Sequence, residues 1–170
     1  MKFMMFEAKK GSTLGLVDGQ NVIELAVLDA SLPKDLLTLV QAGPAALAAV
    51  KAAAAKSPAA AKHPLASVKP ALPIAHPPKF ICVGLNYLEH AKEGGHAPPT
   101  YPSFFARYDR SLVAAGQPVI RPKISNQLDY ECELTIVIGK GGRNITEEKA
   151  LELARLYLHD NATKLYGEKK

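Results

Sequence analysis

Two glutamates stand two residues apart in the segment with the clearest strand pattern of the sequence. Residues 130–138 alternate in polarity and are rich in β-branched side chains, which predicts a β-strand. Alternation along that strand places Glu131 and Glu133 on one face and Cys132 and Leu134 on the other. Carboxylates side by side repel each other, and a divalent cation with oxygen ligands relieves that repulsion. A solvated strand face with two surface acids explains the same spacing, so both interpretations stand at this point.

A histidine and a glutamate three residues apart form the second candidate constellation. A helical turn predicted over residues 87–93 puts His90 and Glu93 on one face. A carboxylate beside an imidazole fixes its tautomer and raises its basicity, which suits a general base. An ordinary surface ion pair is the alternative that this spacing leaves open.

The elements that must position these side chains begin with a small antiparallel sheet. Strands are predicted over Lys2–Ala8, residues 13–17 and residues 22–25. Asp18 and Gly19 supply the positive-φ turn between the second and third of these strands. The sequence therefore predicts a leading domain that starts with three short strands.

Helices and a proline-rich stretch follow the predicted strands. A helix is predicted to start near Asp35 and to stop at Gly43, and a second, alanine-rich helix to begin at Pro44. Residues 57–78 contain six prolines, which predicts a linker. We place the domain boundary near residue 75, with a small domain over residues 1–75 and a second domain over residues 76–170.

The second part of the chain is predicted to contain both strands and helices. Residues 79–84 predict a strand, residues 103–107 a further short strand, and Thr146 a helix N-cap with Glu147 and Glu148 in the first turn. These elements surround both candidate constellations. The predicted fold class is α+β.

Composition and charge argue against several classes of protein. Of the 170 residues 48% are hydrophobic, and the net charge of +5 comes from 21 basic and 16 acidic residues without a Lys/Arg block. The sequence therefore predicts no nucleic-acid partner. No stretch approaches the roughly 20 apolar residues that cross a bilayer, so no membrane partner is predicted. Cys82 and Cys132 lie in apolar runs, which favours reduced thiols and a cytoplasmic location.

Three segments in register resemble one known family. They read ICVGLNYLEHAKE, PSFFARYDRSLVAAGQPVIRP and LDYECELTIVIGKGGRNITEEKALE, and their order and spacing are similar to those of the fumarylacetoacetate hydrolase family. The resemblance implies an incomplete catalytic domain built on a rolled mixed β-sheet behind a small N-terminal antiparallel β domain with helices. It also implies a homodimer if the fold is complete.

The resemblance implies a metal site and decides between the alternatives left open above. Glu131 and Glu133 match two metal-binding glutamates, and Mg²⁺ or Mn²⁺ is the expected cofactor, with Ca²⁺ as a further option. The third ligand of the family is an aspartate in an NDxTxRD-like motif, where this chain reads LYLHDNATKLYGEKK. Aligning on Thr163 puts Asn161 at that aspartate, so Asp160 is the local carboxylate that could substitute.

The resemblance also implies roles for residues around the substrate. His90 and Glu93 match the family's catalytic dyad, and Tyr87 and Arg107 are expected to bind substrate. The implied substrate is a small 2-oxo acid. The expected reaction is hydrolysis of a carbon–carbon bond in an acylpyruvate or fumarylacetoacetate-like compound, as in catabolism of aromatic compounds.

Two alternatives accompany that expectation. One is a family isomerase or decarboxylase that acts on a hydroxymuconate derivative or oxaloacetate. The other is a truncated, catalytically inactive family member, which the altered DNAT segment favours. The motifs do not separate these outcomes, because the reaction depends on pocket residues beyond them.

Overall fold

The computed structural model describes residues 1–130 and 133–149 of the chain. It consists of two units, Met1–Glu133 and Leu134–Lys170. The described residues form a mixed α+β structure with two antiparallel sheets, as the sequence predicts in outline. The rolled mixed sheet implied by the family resemblance is not formed among the described residues and stays a prediction.

The first sheet, called the leading sheet below, has four antiparallel strands in chain order. They are β1 (Lys2–Ala8), β2 (Gly11–Asp18), β3 (Asn21–Glu24) and β4 (Lys62–Pro64). The three strands expected from the sequence are confirmed, and Gly19, at φ 57°, turns the chain between β2 and β3. β2 is buried on both faces, because Thr13 and Leu14 point to opposite sides and both are inaccessible.

The helical part of this region has the predicted start and break. α1 (Leu25–Leu28) is followed by α2 (Leu36–Ala54). The Asp35 carboxylate caps α2 by accepting from Thr38 N at 2.8 Å. Gly43 has non-helical torsions, φ 70° and ψ −155°, so α2 consists of two helical segments joined at this residue.

Length and composition alone would let α2 cross a bilayer, with a mean hydropathy of 1.5 over its most apolar window. That result departs from the sequence-based expectation that no segment approaches a membrane span. The break at Gly43 and the burial of Leu39 and Val50 in the core of the leading sheet describe instead a helix packed on that sheet. The length and hydropathy of this one helix are therefore weak evidence for a membrane span.

The proline-rich stretch differs from the predicted linker. Its residues 62–64 form β4, which pairs antiparallel with β3. Further on, Ala71 N donates to Met5 O and Glu7 N donates to Lys69 O, both at 2.9 Å. A three-residue strand held by distant partners has no local pattern, which is why the sequence does not show it.

The second sheet, called the site sheet below, has two antiparallel strands. β5 (Ile81–Gly84) pairs with β6 (Ser103–Ala106), and α3 (Leu88–Glu93) lies between them in sequence. Both strands and the helical turn were expected from the sequence and are confirmed. Cys82 in β5 is a free, half-buried thiol; Cys132 lies outside the described residues.

The strand expected over residues 130–138 is not observed where the structure describes that segment. Residues 133–138 carry no strand, and Leu134, Ile136 and Ile138 are 65%, 63% and 74% exposed. A β-strand needs a neighbour to satisfy its backbone groups, and no described strand supplies one. The alternating pattern is present, but the partner that would make it a strand is not among the described residues.

The helix start near residue 146 is confirmed. Helical residues begin at Glu147, and Lys149 N donates to Thr146 Oγ1 at 3.3 Å. Thr146 is therefore the N-cap. The rest of this helix lies outside the described residues.

Candidate functional site

A tight turn connects the end of β5 to the start of α3. Leu85 follows the last strand residue and has φ 50°, in the left-handed region that a branched side chain rarely adopts. Tyr87 then has extended torsions and forms the N-cap position of α3. The residue between Leu85 and Tyr87 is placed so that its side chain reaches back to β5.

That intervening residue, Asn86, contacts the one metal-ligand candidate that the structure describes. With its amide oriented to satisfy both neighbours, Asn86 Nδ2 donates to Val83 O at 3.2 Å and to Glu133 Oε1 at 3.1 Å. Glu133 therefore lies beside the turn that leads into α3. The sequence analysis did not select Asn86, although a polar residue directly after a strand was the available signal.

The two predicted catalytic residues lie on α3 and are exposed to solvent. His90 and Glu93 lie three residues apart in this six-residue helix, as predicted. Ala91 is the buried residue of α3, and Gly94 ends the helix by donating from its backbone N to His90 O at 3.2 Å. An ion pair between Lys92 and Glu89, 2.8 Å long, lies on the same helix. The pairing of His90 with Glu93 in catalysis stays a prediction.

The predicted substrate-binding residues flank the same sheet. Arg107 follows β6, donates from its backbone N to Phe80 O at 3.0 Å and places its guanidinium carbon 6.0 Å from the centre of the Phe105 ring. This distance is at the outer limit of a cation–π contact. Tyr87 is 41% exposed. Neither position tests a role in substrate binding.

Of the three predicted metal ligands, Glu133 lies within the described residues. Glu133 is exposed, and among the described residues its Oε2 has no hydrogen-bond partner. Glu131 and Asp160 lie outside the described residues. Within residues 1–130 and 133–149 no three His, Cys, Asp or Glu side chains converge on one point. The candidate donor set is all carboxylate oxygen, which fits a hard divalent cation.

A separate open cavity of about 640 Å³ lies against the leading sheet. Its lining includes Met5, Asp35, His76 and Gln117, and none of the described site candidates. Near it, His76 Nδ1 donates to Asp109 Oδ2 at 2.7 Å, and this hydrogen bond holds the pKa of the Asp109 carboxyl below its usual value. The cavity and the predicted site are therefore distinct features.

Comparison with protein families gives a match over the second part of the chain. The model for fumarylacetoacetate (FAA) hydrolase, C-terminal, matches residues 79–161. That span contains the site sheet, α3 and both glutamates of the predicted metal site.

Comparison with curated proteins extends the similarity over most of the chain. The mitochondrial oxaloacetate tautomerase of Xenopus laevis is 33% identical over 156 residues, which are 89% of this chain and 48% of that protein. A human mitochondrial oxaloacetate tautomerase is 35% identical over 155 residues, 89% of this chain and 49% of that protein. The chain spans about half the length of the curated relatives it matches.

Solved structures show a similar fold at lower identity. An HpcE-like protein from Mycobacterium smegmatis matches with a TM-score of 0.59 and 24% identity over 89% of this chain and 51% of that chain. A maleylpyruvate hydrolase from Sphingobium sp. SYK-6, in complex with manganese(II) ion and pyruvate, matches with a TM-score of 0.52 and 22% identity. This second match covers 71% of this chain and 42% of that chain.

Proposed function

This chain belongs to the fumarylacetoacetate hydrolase family, and on that basis we propose that it carries part of an active site that enolises a 2-oxo acid with a divalent cation. Members of the family are enzymes, both hydrolases and tautomerases. The observation that carries the proposal is the position of Glu133 beside Asn86, at the start of the segment that bears His90 and Glu93. A metal-ligand candidate and a general-base candidate thus share one turn and its helix.

Glu131, Glu133 and Asp160 would hold the cation, with Mg²⁺ or Mn²⁺ as the expected ion. When bound, the cation supplies a Lewis acid that polarises the 2-oxo group of the substrate. The manganese(II) in the maleylpyruvate hydrolase structure supports the use of a divalent ion in this fold. Exposure of Glu133 leaves its carboxylate accessible to both ion and solvent.

His90 would move the proton. Its imidazole would take a proton from the carbon next to the 2-oxo group and deliver one to the 2-oxo oxygen, which becomes the enol hydroxyl, so the composition of the substrate is unchanged. Glu93 would orient the ring by accepting from one ring N–H, which fixes the tautomer that acts as base. Tyr87 and Arg107 would bind the carboxylate end of the substrate.

Two reactions follow from the same enol chemistry. The names of the relatives at 33% and 35% identity support tautomerisation of oxaloacetate. The maleylpyruvate hydrolase of similar fold supports the second candidate, in which water adds to a carbonyl of an acylpyruvate, the carbon–carbon bond breaks, and the departing carbon gains a proton. Tautomerisation is the first candidate because the relatives named for it share more of this sequence.

Proton NMR in D₂O tests the proposal. Mg²⁺ is the added cation, because it is diamagnetic and does not broaden the lines. The chain should accelerate deuterium entry at carbon 3 of oxaloacetate above the spontaneous rate, and cleavage of acylpyruvate is followed in a parallel sample. Removing a general base lowers the rate by about 10²- to 10⁴-fold, so His90→Ala should lose most of the acceleration. Acceleration that is unchanged in His90→Ala and in Glu133→Ala would contradict the proposed site.

The homodimer and the cytoplasmic location stay predictions. A homodimer is part of the proposal only if the complete fold forms. Light scattering coupled to size-exclusion chromatography distinguishes a monomer of 18.2 kDa from a dimer of twice that mass. A monomer that turns over substrate would contradict the proposed homodimer.

A further inference from the structure

The amide of Asn86 lies between two hydrogen-bond acceptors that belong to different parts of the chain. One is Val83 O, at the end of β5, and the other is Glu133 Oε1, about 50 residues later in sequence. Both acceptors carry lone pairs and no proton, so only the NH₂ side of the amide can satisfy them. The two donor hydrogens of one amide nitrogen match the two acceptors, which defines the orientation of Asn86.

The backbone at Leu85 explains how the amide reaches both acceptors. Leu85 is in the left-handed region at φ 50°, which turns the chain so that Asn86 returns toward the carbonyl three residues before it. A leucine in this region is uncommon, and such torsions persist where surrounding contacts over-determine them. The bond to Val83 O is one such contact, so turn and amide stabilise each other.

We propose that Asn86 is a positioning residue that fixes Glu133 for cation binding, an inference that rests on the proposed function. Asn86 occupies Oε1 of the carboxylate and leaves Oε2 without a partner among the described residues. A carboxylate held at one oxygen keeps a fixed direction for its other oxygen. Asn86 thus couples the cation site to β5 and, through the following Tyr87, to the helix that carries His90.

The chemistry of the contact limits what else could replace Asn86. With a side chain that has no donor at position 86, Glu133 would lose its hydrogen bond from Asn86, and among the described residues 133–138 no strand is formed that would hold it. Loss of a group that orients a metal ligand lowers metal affinity by about 10- to 100-fold in other proteins. The same range is expected here for Asn86→Ala.

The first measurement is the affinity of the full chain for Mn²⁺ alone, followed by electron paramagnetic resonance of the free ion. Asn86→Ala should bind about 10- to 100-fold more weakly than the unchanged chain. Glu7→Gln is the matched control, because the Glu7 carboxylate accepts from Ser12 Oγ at 3.3 Å instead of binding Asn86. Equal affinity of the Asn86→Ala and unchanged chains overturns the inference and leaves the proposed function standing. If the unchanged chain does not bind Mn²⁺, both the inference and the proposed function are overturned.

The second measurement needs no metal and tests the contact between Asn86 and Glu133 directly, in chains that retain Asn86. The side-chain NH₂ resonances of Asn86 are followed in a ¹⁵N–¹H correlation spectrum and assigned by their loss in Asn86→Ala. Glu133→Gln keeps the shape of the acceptor but removes its charge, so these resonances should shift, while Glu7→Gln should leave them in place. Resonances that stay in place in a folded Glu133→Gln chain would show that the contact is absent in solution and would overturn the inference.

Discussion

The leading sheet and the site sheet differ in how much apolar surface they bury. The core cluster of buried residues lies entirely before residue 72, on and around the leading sheet. Among the described residues beyond it, Ala91 alone is buried, while Phe104 and Phe105 of β6 are 65% and 49% exposed. Burial of one large apolar side chain stabilises a fold by about 1.5–3 kcal/mol. The leading sheet therefore carries most of the stability, and the predicted site residues lie beside the less buried sheet.

This difference means that the predicted site residues and the buried core of the described residues lie in separate parts of the chain. The Asn86 contact and α3 depend on a two-stranded sheet, and isolated two-stranded sheets are marginally stable in water. To bury the site sheet further, residues other than the described ones would have to pack on it.

The largest effect is expected from truncating the core of the leading sheet. Leu14 is fully buried, so Leu14→Ala should lower the free energy of unfolding by about 2–5 kcal/mol. Phe104→Ala removes a larger but mostly exposed side chain and should change it by at most about 0.5 kcal/mol. Urea unfolding followed by circular dichroism measures both. Equal losses of unfolding free energy in Leu14→Ala and Phe104→Ala would show that the site sheet is buried in solution, which would contradict the difference between the two sheets.

A smaller loss of stability is expected from substituting Gly15, a glycine of β2 that is closely surrounded by side chains of the leading sheet. A Cβ at Gly15 would lie 2.2 Å from Val22 Cγ1 and 2.9 Å from Phe6 Cε1. Gly15→Ala should therefore destabilise the chain by about 1–3 kcal/mol through overpacking. Gly141→Ala is the matched control, because nothing lies within 4 Å of its Cβ position. A Gly15→Ala chain as stable as the control would show that the leading sheet packs less tightly than described.

A substitution in the turn after β5, at Leu85, should raise stability or leave it unchanged, in contrast to the substitutions in the leading sheet. A left-handed residue other than glycine costs about 1–2 kcal/mol, and glycine's extra freedom when unfolded offsets about 0.5–1 kcal/mol of the relief. Leu85→Gly should therefore leave the free energy of unfolding unchanged or raise it by up to about 1.5 kcal/mol, whereas Leu85→Val should lower it. Hydrogen exchange of the β5 amides measures this locally. Slower exchange in Leu85→Val than in Leu85→Gly would contradict the left-handed turn.

The smallest effect concerns the exposed pair His76 and Asp109. Because the Asp109 pKa is lowered in the folded chain, its contribution to stability is fully present above the usual carboxyl pKa. It is lost as the pH falls through the lowered folded-state pKa. Asp109→Asn should remove this part of the acid dependence and leave stability near pH 7 almost unchanged, because exposed ion pairs contribute little. Thermal unfolding between pH 2 and pH 7 measures the difference; an unchanged acid dependence would contradict the pair.

Local patterns predicted much of this structure. β1 was predicted with its observed bounds, Lys2–Ala8, because alternation is a local signal. The break at Gly43 and the cap at Thr146 follow from single residues with particular torsions or side-chain oxygens. The short helix α3 was predicted from its local sequence as well.

Features that depend on distant partners were not predicted. β4 exists because residues 62–64 meet β3, some 40 residues away in sequence. The alternation of residues 133–138 predicted a strand, but no described strand pairs with it. In the candidate site, His90, Glu93 and Glu133 came from motif spacing, whereas the Asn86 contact with Glu133 depends on a left-handed leucine that no local pattern indicates.

The central proposal is that Glu133 belongs to a cation site beside the site sheet. The most direct test is a titration of the chain with Mn²⁺ and Mg²⁺, with binding heat and thermal stability recorded for the unchanged chain and for Glu133→Ala. We expect saturable binding and a rise in the unfolding temperature of the unchanged chain, and we expect Glu133→Ala to lose both. Equal responses of the two chains, or no response from a folded unchanged chain, would contradict it.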